Sequence, residues 1–180
     1  GKYILFLNSD TILIGNAIYA LYIFAENNFD LNIGALGTLL INKKYEINKP
    51  FAFFPSLNLF YINTLKRFKI KNKYAQIIDK TIENEYSFVD CISGANLFVP
   101  AYVLKISGAF DPKIFMYSDE TDLQKRMDNC GFSRFLINNK EIIHLGGASF
   151  NKKMTFNKYV IQQRSMLIYI KKHLKGFEYY

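Results

Sequence analysis

The segment Tyr3–Leu7 is an unbroken apolar run that stops at Asn8-Ser9-Asp10. A strand that is apolar at every position, rather than at alternate ones, is the pattern of a strand covered on both faces, as in a parallel sheet between helical layers. The expectation is an open α/β sheet with a buried parallel strand at residues 3–7. The loop after it then lies at the carboxyl edge, where such sheets take their ligands. The next stretch fits. Asn16 is placed to cap a helix in which Ile18, Leu21, Tyr22 and Ala25 share one face, and Asn27-Asn28 ends it. Residues 33–41 predict a second strand, followed by a turn at Asn42-Lys43-Lys44.

Periodicity weakens over residues 45–85, where only a helix around 61–69 is expected. Strand-forming residues return at 88–100 on either side of Ser93-Gly94-Ala95, followed by a helix at 100–106 and a turn at 108–112. Leu123, Met127 and Cys130 fall at i, i+4 and i+7, so a helix runs from about Ser118 to a glycine cap at Gly131. Asp119, Glu120 and Asp122 then occupy its first turn. Residues 132–137 and 141–144 predict short strands, 145–149 a glycine loop, and 157–175 a closing helix. The apolar positions of that helix are Val160, Ile161, Leu167, Ile168 and Leu174, with basic residues in its final turn. With no internal repeat and no linker, residues 1–180 are expected to form a single domain.

Composition narrows the class. Hydrophobic residues make up 50% of the chain and charged residues 21%, the balance of a globular domain rather than a disordered chain. The longest uncharged runs, 11–25 and 50–65, are shorter than the ~20 apolar residues a spanning helix needs. Asn8, Ser9 and Asp10 interrupt any secretory apolar region, so a cytoplasmic chain is expected. Cys91 and Cys130 lack metal-type spacing and are expected to be core thiols. A formal charge of +8 calls for an acidic partner: nucleic acid, anionic lipid or a nucleotide diphosphate. Lysines concentrate at 66–73, 152–153 and 171–175, without Arg-Gly repeats or an RNA-recognition signature, which argues against nucleic acid.

Each chemically capable residue carries a plainer reading beside the functional one. Asp10, at the end of a strand, is placed to ligate Mg²⁺ or Mn²⁺, yet Asn-Ser-Asp is also good turn chemistry. One carboxylate among Asp119, Glu120 and Asp122 is placed to take a proton from an attacking hydroxyl. Acidic residues also suit a helix amino terminus, and Asp122 is spaced to pair with Arg126. His144 before Gly146-Gly147 suits a metal or phosphate contact, or a structural hydrogen bond. Lys152 and Lys153 suit a diphosphate or solvent. No serine or cysteine has a base beside it in a recognisable nucleophilic motif.

In order along the chain, FLNSDT, ISGANLFVPAYVLKISGAFDPKIFMYSDETDLQKRMDNCGF, IIHLGGASF and the Arg-Ser of IQQRSMLIYIKKH resemble the rhamnosyltransferase-like branch of glycosyltransferase family 2. The resemblance spans most of residues 1–175. It implies a GT-A type α/β fold, a mixed central sheet flanked by helices, incomplete at its amino-terminal side. Family members begin with a β-α-β-α segment that holds the nucleotide, whereas this chain starts at the strand leading into the metal motif. Reduced nucleotide-sugar binding by the chain alone is therefore expected.

The resemblance further implies an inverting transfer from a nucleotide-diphosphate sugar to a saccharide or lipid-linked saccharide, in bacterial surface polysaccharide synthesis. Asp10 matches the cation-binding aspartate, with His144 near the metal or diphosphate, and Mg²⁺ or Mn²⁺ is the implied cofactor. Glu120 matches the catalytic base, with Asp119 as its neighbour. The pair is inverted from the usual Glu-Asp, so the choice between the two stays open. Gly94 and Ala95 match the pocket beside the sugar, and Asp122 and Arg164 are assigned to the donor or acceptor pocket. No nucleic acid is implied, and the location is cytoplasmic or peripheral at the cytoplasmic face of the inner membrane. The alternatives are a truncated, non-catalytic relative acting as an interaction subunit, and a membrane-surface module.

Overall fold

All six residues of one strand, Ile33–Thr38, are buried, and the molecule is built around it. The computed structural model describes residues 1–56, 67–146 and 155–174, with backbone alone for 67–72. In chain order the elements are β1 (Tyr3–Leu7), β2 (Thr11–Leu13), α1 (Ala17–Asn27), a 3₁₀ turn (Phe29–Leu31), β3 (Ile33–Thr38) and β4 (Phe51–Ala52). Then come α2 (Arg67–Glu83), β5 (Tyr86–Phe88), β6 (Cys91–Ile92), β7 (Asn96–Pro100) and α3 (Ala101–Ser107). The chain continues through α4 (Asp119–Asn129), β8 (Ser133–Ile137), β9 (Ile142–His144) and α5 (Phe156–His173).

Five strands form a mixed central sheet in the order β1-β7-β3-β8-β5, flanked by helices. β3 runs parallel to β8 and antiparallel to β7. Successive side chains point to opposite faces of a strand, so the sheet carries two cores. On one face Leu36, Phe98, Phe135 and Ile137 pack with Leu21 and Ala25 of α1. On the other, Ala35, Leu97, Val99 and Leu136 pack with Leu123 and Met127 of α4, Val103 of α3 and Ile78 of α2. Gly37 is required by this second layer: a Cβ there would overlap Ile92 Cγ2, so the glycine lets β6 cross close to β3. That approach sets the height of the segment that follows β6.

Several expectations are corrected. β1 is neither parallel nor buried; it pairs antiparallel with β7 at the edge of the sheet, and Ile4 and Leu7 are 38% and 39% exposed. An apolar run encodes strand formation but not which neighbours the strand acquires. In α1 the buried face is Ala17, Leu21 and Ala25, while Ile18 and Tyr22 point outward, and Asn16 stands at the cap position without a side-chain cap bond. Of the helix expected at 61–69, residues 61–66 lie outside the described residues, and 67–69 open the longer α2. α5 buries Ser165 and Tyr169 and leaves Leu167 54% exposed. Cys91 is a buried thiol, but Cys130, just past α4, is exposed. The glycine loop beyond Gly146, together with Lys152 and Lys153, lies outside the described residues. Among the described residues no helix is long and apolar enough to cross a membrane.

Candidate functional site

Four segments far apart in sequence meet at one end of the sheet. Where β1 ends, the Asn8 N–H donates to the Ala95 carbonyl at 3.2 Å, fastening residues 8–10 to the turn between β6 and β7. That turn is closed by Asn96 N–H to the Ser93 carbonyl (3.3 Å) and by Ala95 N–H to Ser93 Oγ (3.3 Å). The short β2–β9 ladder sets Thr11 opposite His144, and Leu145 N–H donates to the Asp10 carbonyl at 2.9 Å. His144 Nε2 thereby stands 3.4 Å from Asp10 Oδ1.

The fourth segment is the start of α4. Tyr117 and Ser118, just before it, have φ of 62° and 64°. Two consecutive non-glycine residues in the left-handed region cost about 1–3 kcal/mol each, and such strain concentrates at ligand sites. The strained turn is held from α5, where Ser165 Oγ donates to the Met116 carbonyl at 2.6 Å. It delivers Glu120 onto Gly94: a Cβ at Gly94 would stand 3.4–3.6 Å from Glu120 side-chain carbons.

The result is a cleft of about 760 Å³. Leu5, Phe6, Leu7, Phe110, Met116 and Tyr117 form its apolar walls, and Ser93-Gly94-Ala95 lies within it. Its polar groups include Asn8, Asp119, Glu120 and His144, and among the described residues no lysine or arginine lines it. Burial, with the charge and hydrogen bond of Asp119 next to it, pushes the Glu120 carboxyl up to about 7. A carboxyl tuned there exchanges protons readily at neutral pH.

The predicted residues divide accordingly. Gly94, Ala95, Asp119, Glu120 and His144 line the cleft, with Asp10 beside His144. Asp122 does not; its side chain is completely buried and bonded to Arg126 Nε (3.0 Å), Lys172 Nζ (2.9 Å) and His173 Nε2 (2.7 Å). Burial alone would raise its carboxyl, but bonds from His173, Lys172 and Arg126 outweigh that and hold it below the usual range. Lys172 also reaches Asp111 at 2.8 Å, so this cluster ties α4 to α5 and to the turn after α3. Arg164 is exposed on α5 and does not line the cleft.

Asp10 and His144 offer an oxygen and a nitrogen to a cation. Among the described residues no cluster of three His, Cys, Asp or Glu forms a metal site. A cation held by these two would complete its shell with water and diphosphate oxygens, the way Mg²⁺ is usually bound at phosphate-transferring sites.

Sequence reasoning passed over Asn8, the Tyr117-Ser118 turn and Gln124. For Gln124 a signal existed: Glu120, Gln124 and Met127 fall at i, i+4 and i+7, so an amide sits on the inward face of an amphipathic helix. Asn8 and the left-handed turn carry no comparable local mark. No protein-family profile matches the chain, and no curated protein matches it significantly.

Proposed function

We propose that this chain is the catalytic portion of an inverting glycosyltransferase of GT-A type, similar to family 2. It moves a sugar from a nucleotide-diphosphate donor to an acceptor hydroxyl of a saccharide or lipid-linked saccharide. The setting is bacterial surface polysaccharide synthesis in the cytoplasm or at the cytoplasmic face of the inner membrane.

The observation that carries this reading is the Glu120 carboxyl, raised to about 7 and set over Gly94, in the same cleft as His144 with Asp10 beside it. In the proposed reaction Glu120 accepts the proton of the acceptor hydroxyl. The acceptor oxygen forms its bond to the anomeric carbon from the face opposite the diphosphate, and the bond to the diphosphate breaks with its electron pair leaving on oxygen. The described lining offers that anion no lysine or arginine, while Asp119 repels it. Mg²⁺ or Mn²⁺ bound through Asp10 and His144 would supply the missing positive charge. Gly94 and Ala95 leave room beside Glu120 for a sugar ring. The apolar walls reduce solvent access to the reacting atoms.

The test is release of nucleoside diphosphate from a panel of nucleotide sugars with Mn²⁺ and saccharide acceptors. Glu120→Gln cuts release by about 10²–10⁴-fold on this reading, and full activity in that variant refutes it.

A second reading, a non-catalytic interaction subunit, has its own support. Leu13, Ile18, Tyr19 and Tyr22 are exposed around an apolar groove of about 480 Å³, the kind of surface that marks an interface. A subunit of that kind would tolerate both Asp10→Ala and Glu120→Gln without loss of function.

A further inference from the structure

Gln124 is completely buried on the inward face of α4, where the amphipathic pattern calls for an apolar side chain. A carboxamide taken out of water without partners costs several kcal/mol, so a buried one is kept where its bonds do something an apolar group does not. Gln124 Oε1 accepts the Ile92 N–H at 2.7 Å, and Nε2 donates to the Ile92 carbonyl at 2.8 Å. The same Nε2 lies 3.1 Å from the Glu120 carbonyl and 3.2 Å from Cys91 Sγ.

The two ends of this network are the two sides of the cleft contact. Ile92 leads directly into Ser93-Gly94, and Glu120 lies one helical turn before Gln124. A leucine or methionine would fill the same volume but would leave both backbone groups of Ile92 without this partner.

We propose that Gln124 is a positioning residue whose carboxamide, bonded at once to Ile92 and to the Glu120 carbonyl, sets how closely the Glu120 side chain packs over Gly94. The catalytic consequence rests on the function proposed above; the placement does not. Among the described residues, the charged or titratable groups around Glu120 are Asp119 beside it, the Cys91 thiol in the adjoining β6, and Tyr117 and His144 in the same cleft. Of these, Gln124→Met takes a contact from the Cys91 thiol alone, which is why Cys91→Ala is the control. Loosening the helix start lets water reach Glu120, and its proton affinity drops.

The experiment is carboxyl titration by NMR on the full chain labelled with ¹³C-glutamate, without divalent cation, in wild type and in Gln124→Met. The Glu120 midpoint falls by about one unit or more toward the ordinary carboxylate range, and exchange of the Ile92 amide accelerates at least tenfold. Cys91→Ala, which keeps both Ile92 bonds, leaves the midpoint in place. An unchanged midpoint in folded Gln124→Met overturns the proposal. Where that variant does not fold, Gln124→Asn, one methylene shorter, is titrated instead. A wild-type Gln124 carboxamide that exchanges freely with water overturns it with no variant at all. If the midpoint shifts while Glu120→Gln still transfers sugar, the proposed reaction fails and the positioning role stands.

Discussion

Glu120 and Asp122 lie two residues apart in the first turn of α4, yet the structure gives them opposite fates. Asp122 is completely buried with Arg126, Lys172 and His173 bonded to it, and it is held as an anion that locks α4 to α5. Glu120 opens on the cleft, where burial and then the charge and hydrogen bond of Asp119 push its carboxyl up to about 7. One turn of helix thus presents successive carboxylates to a fixed ion cluster and to an open cleft. What separates a structural from a chemically poised carboxylate here is the partner set, not the helix or the residue type.

The comparison is broken most directly at Glu120 itself. Glu120→Gln lowers transfer by about 10²–10⁴-fold, the usual worth of a general base, while the urea midpoint holds or rises. Measuring kcat beside the unfolding curve separates the two effects. Asp122→Ala gives the converse. Removing the carboxylate that Arg126, Lys172 and His173 share leaves Arg126 and His173 without it, while Lys172 keeps Asp111, and costs about 3–5 kcal/mol in the same urea experiment.

Acidity sharpens the contrast, because the two carboxyls contribute to stability with opposite sign. The folded value of Glu120 lies above its unfolded value of 4.5, so between those values the folded chain binds more protons than the unfolded one. Its contribution to stability is therefore greatest at low pH and is lost as pH rises through about 7, by roughly 1–3 kcal/mol. Asp122, whose folded value is depressed, contributes stability above its unfolded value of 3.8, which is lost as pH falls through the folded one. Urea midpoints from pH 3 to 8 are expected to pass through a maximum, and Glu120→Gln removes the decline near pH 7 alone. Transfer rises over the same interval as Glu120 deprotonates. The smallest effect is expected at Arg164: exposed and away from the cleft, Arg164→Ala changes stability by no more than about 0.5 kcal/mol. It leaves the transfer rate within a few-fold of wild type.

Much of this was legible where the signal is local. Leu123 and Met127 announced α4 by spacing, and the first-turn position of Asp119 and Glu120 followed from it. The strand expected over residues 33–41 is likewise present, as β3 over 33–38. What failed depended on distant neighbours. The run Tyr3–Leu7 has the pattern of a buried strand, but it lies at an edge and its side chains wall the cleft. Asp122 has one partner four residues away, which spacing suggested, and two about fifty residues away, which no local pattern encodes. In α1, Ala17 and Ala25 face the sheet together with Leu21, while the bulky Ile18 and Tyr22 stay exposed. Hydropathy ranks those residues in the wrong order.

On the proposed function, the cleft holds a cation-bound diphosphate through Asp10. The most direct measurement is an NMR titration of the full chain with Mn²⁺ and UDP, dTDP or GDP, read as paramagnetic broadening of assigned amides. Broadening is expected to begin at Asp10, His144 and Gly94, to strengthen with the matching nucleotide, and to disappear in Asp10→Ala while surviving in Glu120→Gln. Broadening that spares those residues, or that persists undiminished in Asp10→Ala, would contradict it.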